Sequence, residues 1–377
     1  MRNLLIGNGV NIQFNKIDYI PQQIVLRVLK NCDRTDFPSD IIVDRPYLLK
    51  SYLGFLFLEA REIIKGEYDN FVLASSERDS LITFKKLYTD KISTLKITDI
   101  GFEDYYLIHD LFCHKNNIQN SERFVIRESM RKAYLHAIFN DGKLNELYKN
   151  YPKIFINYLI RFDNIFTTNY DSNIELAIGK KIFHIHGQFD KRSDIYNKSS
   201  LRNQLPDAPV KEDEVNEIYF YLYSNALSTY CGEYKEFQLK RYSQANKGIE
   251  KMASAYNTDT ETKKEVDNWT KDTNAIIAKL GRAIQLKAFN PSLAFSDDYH
   301  FDKFKSISGL LEIIGLSPWN DFHIFESINI ADLDECVYYF FEENECDIIK
   351  NLLPILDKQK KLKFKSVKAF WEECYEK

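Results

Sequence analysis

Apolar residues change their spacing several times along this chain. Residues 3–6 (NLLI) form a run too short for a helix, and Gly7 ends it, which predicts a buried strand. Asp44 can cap a helix and Pro46 suits a first turn. Apolar positions then recur at helical spacing through Leu53, Phe57 and Ala60 until Gly66 stops them. Helical patterns continue over residues 80–95, 103–113, 122–139 and 144–151, with no clear strand among them. Then the period shortens. Residues 164–167 and 181–186 read as strands, the second with Ile182, His184 and His186 on one face and Phe183 and Ile185 on the other. Residues 217–222 (EIYFYL) predict a third. From 233 to 289 the pattern is helical again, broken near Asn257. The last part alternates, with strands at 311–314, 336–341 and 362–364 and helices at 322–328, 347–353 and 367–376.

Strands alternating with helices predict an α/β fold with a parallel sheet. The sheet is split along the chain. Its α/β core takes about residues 1–20, 151–224 and 301–377, and helical insertions take about 21–150 and 225–300. A length of 377 residues allows two domains or one with large insertions. Composition changes little in this picture, since 44% hydrophobic and 28% charged residues describe an ordinary globular chain. A net charge of −4 argues against a nucleic-acid binder. The basic run 358–365 (KQKKLKFK) reads as a solvated turn and edge strand, where lysines discourage edge pairing. Six cysteines without a C-x-x-C pair, and no leader pattern, predict reduced thiols in the cytoplasm. The stretch PYLLKSYLGFLFLEA carries a lysine and is too short to span a bilayer.

Four short segments carry candidate chemistry. In Gly7-Asn8-Gly9-Val10-Asn11, a strand turns towards a helix through glycines, which lets backbone N–H groups approach a phosphate. The plain alternative is a tight turn. Thr167-Thr168-Asn169-Tyr170-Asp171 crowds polar groups at the carboxyl end of a strand, where parallel sheets bind ligands. Asp171 or Ser172 would equally cap a helix through Ile174 and Leu176. In His184-Ile185-His186-Gly187, no cysteine or carboxylate stands at ligand spacing, so no metal is expected. A histidine at a strand end suits a general base, or a packed structural role. Gly315-Leu316-Ser317 would admit a ribose or phosphate, or simply turn the chain.

In this order the motifs GNGVN, TNYD, HIHG and GLS resemble the sirtuin-type (SIR2-like) NAD-binding family. The resemblance is closest to bacterial SIR2-like proteins of anti-phage defence, which write the middle motifs F-x-T-T-N-Y-D and H-x-H-G. AbiH-type abortive-infection proteins share the G-N-G start and H-I-H-G. The likeness covers the α/β portion only and implies a Rossmann-like sheet. It implies that Gly7, Asn8 and Gly9 lie around the NAD phosphates, with Asn11 in place of the family's serine. It implies Asn169 near the nicotinamide ribose with Thr168 beside it, Asp171 near the nicotinamide pocket, and His186 as the catalytic histidine. Gly315 and Ser317 fall on the adenosine side. After Gly187 only Cys231 precedes Cys336, so the zinc module of the deacetylase branch is missing and no zinc is expected. The resemblance therefore implies an NAD+ hydrolase with no cofactor beyond NAD+ as substrate. It would release nicotinamide and ADP-ribose as an abortive-infection effector, gated by homo-oligomer assembly or by a partner such as a HerA-like ATPase. The alternative is a non-catalytic NAD- or ADP-ribose-binding module that regulates a partner.

Overall fold

The computed structural model describes residues 1–42, 45–72, 75–118, 120–205, 215–227, 242–295, 299–319 and 321–375. Among them, six strands form one parallel sheet. They are β1 (Arg2–Ile6), β2 (Asn164–Thr167), β3 (Phe183–His184), β4 (Ser308–Ile314), β5 (Asp332–Phe340) and β6 (Leu362–Ser366), in spatial order β3-β2-β1-β4-β5-β6. This is the doubly wound order, in which the winding reverses between β1 and β4. The expected Rossmann-like α/β fold is present, with long helical insertions after β1 and β3.

Strand alternation sends the two faces of β1 into different cores. Leu4 and Ile6 join Ile165, Val337, Trp371 and helical residues such as Val25, Leu53 and Tyr134. Leu5 joins Phe166, Leu311, Ile313, Phe325 and Tyr338 on the other side. Each of these three side chains of β1 is fully buried, which contributes roughly 1.5–3 kcal/mol apiece. The helix Pro46–Lys65 packs on the first core through Leu49, Leu53, Leu56, Ala60 and Ile63, and Gly66 ends it in the left-handed conformation. The helices Tyr242–Tyr256, Thr260–Trp269 and Ala275–Phe289 build a smaller core of their own around Tyr256, Val266 and Ile284.

The structure corrects several expectations. EIYFYL is not a strand but lies in a kinked 3-10 segment, Glu217–Tyr223. The buried Arg131 guanidinium donates to the carbonyls of Leu222, Ser224 and Ala226, so these acceptors face an arginine rather than a neighbouring strand. Tyr221 stacks on Phe139 with ring centres 4.0 Å apart, and its hydroxyl meets His136 Nδ1 at 2.7 Å. The pattern at 144–151 lies largely in the 3-10 segment Asn140–Asn150, where Asp141 and Gly142 take positive φ. β3 pairs with β2 only at Phe183 and His184. Asp44, Cys231, Glu376 and the helical start at Glu233 lie outside the described residues. The five described cysteines are unbridged. No helix among the described residues is long and apolar enough to cross a membrane.

Candidate functional site

All four motifs reach the carboxyl edge of the sheet, at the ends of β1 to β4. The loops after β1 and β4, where the winding reverses, lock onto each other. Gly7 N–H donates to Ile314 O at 2.9 Å, Gly9 N–H to Gly315 O at 2.8 Å, and Val10 N–H to Gly7 O at 3.2 Å. A Cβ on Gly7 would sit 2.3 Å from Gly315 O, and one on Gly9 2.7 Å from Gly315 Cα. Gly315 itself has φ +71°, which a side chain would strain. The close approach that these glycines permit is thus between two loops, and these N–H groups are engaged with protein carbonyls. The helix that follows, Gly9–Phe14, has only six residues. Asn8 is exposed and donates its amide to Tyr19 O at 3.2 Å. Ser317 is also exposed, and its Oγ accepts the N–H of Trp319 at 3.3 Å.

The end of β2 is tied to the end of β1. Thr168 N–H and the Thr167 hydroxyl both donate to Ile6 O, at 3.0 and 3.1 Å. Thr167 Oγ1 accepts the N–H of Asn169 at 3.0 Å, and Asn169 Nδ2 reaches Gly7 O at 3.4 Å. Asp171 is a buried hub. Its Oδ2 accepts from Asn11 Nδ2 at 2.7 Å, and its Oδ1 accepts from the N–H and Nδ2 of Asn173 at 3.1 and 2.5 Å. It thereby joins the helix Gly9–Phe14 to the helix Asn173–Ile178. Burial raises the Asp171 carboxyl above the usual range, against the pull of its hydrogen bonds. Asn11 Oδ1, on the same side chain that Asp171 holds, is buried with no hydrogen-bond partner.

The two histidines after β2 do not share a face. Strand pairing stops at His184, so the two-residue period no longer governs His186. The His184 ring bonds Asn169 O through Nδ1 at 2.8 Å and Glu175 Oε1 through Nε2 at 2.6 Å. Both partners are acceptors, so the ring donates from both nitrogens and carries a charge. Burial opposes that charge, but the hydrogen bond and charge of Glu175 outweigh it and raise the His184 pKa. His184 therefore pins the backbone of Asn169. His186 turns to other partners. Its Nε2 lies 3.3 Å from His323 Nε2 and 3.7 Å from Asp321 Oδ1, and all three residues are buried. The next residue, Gly187, has φ +88°, and a Cβ there would sit 2.3 Å from Asn225 O.

Two clusters result. Residues of the first two motifs form one, in which Asn11 bonds Asp171, Asn169 bonds Gly7 O and Thr168 is anchored beside them. His186 belongs to a second group with Asp321 and His323. Asn8 and Ser317 stand at the surface nearby. Sequence reasoning named Thr167 in its motif without a role of its own, and missed Asn173, Glu175, Asp321 and His323. The Asp-Phe-His run at 321–323, just after Gly315-Leu316-Ser317, was a readable signal, because it offers a carboxylate and an imidazole two residues apart. Comparison with known proteins finds no matching family model, curated protein or solved structure.

Proposed function

We propose that this chain cleaves the N-glycosidic bond of NAD+ to give nicotinamide and ADP-ribose. The observation that carries the reading is the pair of buried contacts, Asn169 with Gly7 O and Asn11 with Asp171, beside the reversal of winding, with His186 just after the edge strand β3. Doubly wound sheets bind nucleotides at that place. An unpartnered buried acceptor such as Asn11 Oδ1 costs about 1–3 kcal/mol. A ribose hydroxyl or the nicotinamide carboxamide would supply the missing donor. The resemblance of GNGVN, TNYD, HIHG and GLS to SIR2-like proteins selects NAD+ among nucleotides.

The chemistry asks for few groups. By analogy with glycoside hydrolysis, the transition state places positive charge on the ribose, and the leaving group is a neutral pyridine. The protein must hold the ribose, stabilise the developing cation and present water on the open face. In this reading the Asn169 amide orients the ribose hydroxyl or the water. Neutral His186 accepts the proton, and the Asp321 carboxylate 3.7 Å away favours the imidazolium that results. Asp171 acts through Asn11 and Asn173 as a positioning residue, because its oxygens already accept from them. The same resemblance supports a role as an effector of bacterial anti-phage defence. An NAD+ hydrolase must be silent until triggered, and homo-oligomer assembly or a HerA-like ATPase partner would supply that gate.

NAD+ consumption by the purified chain, followed by chromatography of products, tests the proposal. Wild type is expected to yield nicotinamide and ADP-ribose. Asn169→Ala and His186→Ala are each expected to lose at least about 100-fold in rate while keeping the wild-type circular dichroism. Wild-type turnover in both variants would contradict these roles. Tight ADP-ribose binding without turnover, alone or with a partner, would favour a non-catalytic binding module.

A further inference from the structure

His186, His323 and Asp321 come from distant parts of the chain. His186 follows β3, whereas Asp321 and His323 open the helix Phe322–Asn329 after β4. The imidazole Nε2 atoms are 3.3 Å apart while the ring centres are 5.4 Å apart, so the rings point these nitrogens at each other. One ligand atom from each of the three residues lies within 4.8 Å of the others, and all three residues are buried. We infer that this cluster is a binding site for a first-row divalent transition-metal ion.

Two imidazole nitrogens and one carboxylate suit zinc and its neighbours, whereas calcium and magnesium prefer all-oxygen sites. With metal–nitrogen bonds of about 2.0–2.1 Å, two nitrogens 3.3 Å apart subtend about 105–110° at the ion. Taking a similar metal–oxygen bond, the 3.7 Å from His186 Nε2 to Asp321 Oδ1 subtends about 125–135°. Both angles lie near the range of a tetrahedral ion, whose remaining position a further ligand would fill. A cation also relieves the pairing of the two rings. Without it, one ring must hold its proton on Nε2 and donate it to the other. With it, both lone pairs point at one positive centre, and the carboxylate balances the charge.

The inference stands on these distances and does not need NAD+ cleavage. One consequence rests on the function proposed above. A cation on Nε2 of His186 leaves that nitrogen unable to accept a proton, so the loaded chain is the silent form.

The test uses the purified full chain and zinc or cobalt ions alone. Wild type is expected to retain about one equivalent after equilibrium dialysis, to give the visible bands of four-coordinate Co2+, and to melt higher with zinc, as any ligand of the folded state requires. His323→Gln and Asp321→Asn are each expected to bind at least tenfold more weakly and to lose the melting shift. Zinc bound at any other place is the same in both variants, so the difference from wild type is the readout. Equal retention and equal spectra in wild type and both variants would overturn the proposal. Asn169→Ala keeps all three ligands and is expected to keep the ion. Failure of the NAD+ reading and failure of the metal site are therefore separately visible.

Discussion

Replacing Gly7 by alanine separates two accounts of the Gly-Asn-Gly turn. If the glycine serves the contact between the loops after β1 and β4, the new Cβ meets Gly315 O at 2.3 Å and Leu316 Cα at 2.6 Å, both backbone atoms. The loops must part by about 1 Å to restore ordinary contact, which stretches the 2.9 Å bond from Gly7 and the 2.8 Å bond from Gly9 beyond hydrogen-bonding range. Two backbone bonds at about 0.5–1.5 kcal/mol each, plus overpacking of about 1 kcal/mol or more, give a cost of roughly 3 kcal/mol. Gly179→Ala is the control. Gly179 has φ +64° with nothing within 4 Å of a built Cβ, so the cost is conformational alone, about 1 kcal/mol. Urea denaturation followed by circular dichroism compares the two midpoints. Gly7→Ala is expected to unfold at clearly lower urea than Gly179→Ala. Equal midpoints would refute the loop-contact reasoning. If Gly7→Ala then also lost ADP-ribose binding, the glycine would belong to the ligand instead.

Two further outcomes follow from buried groups in the first helical insertion. His109 is fully buried, with Nδ1 on the Tyr52 hydroxyl at 2.7 Å and Nε2 on Arg123 O at 3.1 Å, and burial pulls its pKa down to about 4. The folded ring stays neutral where the unfolded ring, with its pKa near 6.5, takes a proton. Its stabilising contribution of about 3 kcal/mol is complete above pH 6.5 and is lost as the pH falls towards 4. Urea midpoints at pH 7 and pH 4.5 should differ less in His109→Gln than in wild type, and an equal difference would contradict the assignment. Arg131→Met strips the carbonyls of Leu222, Ser224 and Ala226 of their donor and leaves Glu128 without its guanidinium. The expected loss is about 3–5 kcal/mol, and thermal unfolding within about 1 kcal/mol of wild type would count against it.

How much of this was legible depended on how each element is buried. β1 and β2 announced themselves because strands covered on both faces read as unbroken apolar runs between turn residues. The long helices were readable from spacing, as in Pro46–Lys65, where proline opens the helix and Gly66 closes it. EIYFYL misled because alternation reports two different surroundings, not a hydrogen-bonded neighbour, and Arg131 supplies those surroundings from a helix far away in sequence. The two histidines of HIHG were placed on one face by a period that holds only while the strand lasts. Glycines were visible, but what approaches them was not. Gly7 and Gly9 meet Gly315, more than 300 residues on. β2 and β1 lie between β3 and β4 in the sheet, so neither spacing nor strand order joins Asp321 and His323 to His186.

A crystal structure of the chain with ADP-ribose would test the central claim most directly. The account predicts the ligand across the carboxyl ends of β1, β2 and β4, with a ribose hydroxyl donating to Asn11 Oδ1 and another within hydrogen-bond reach of Asn169. Density for the ligand elsewhere on the chain, with Asn11 Oδ1 still lacking a donor, would contradict it.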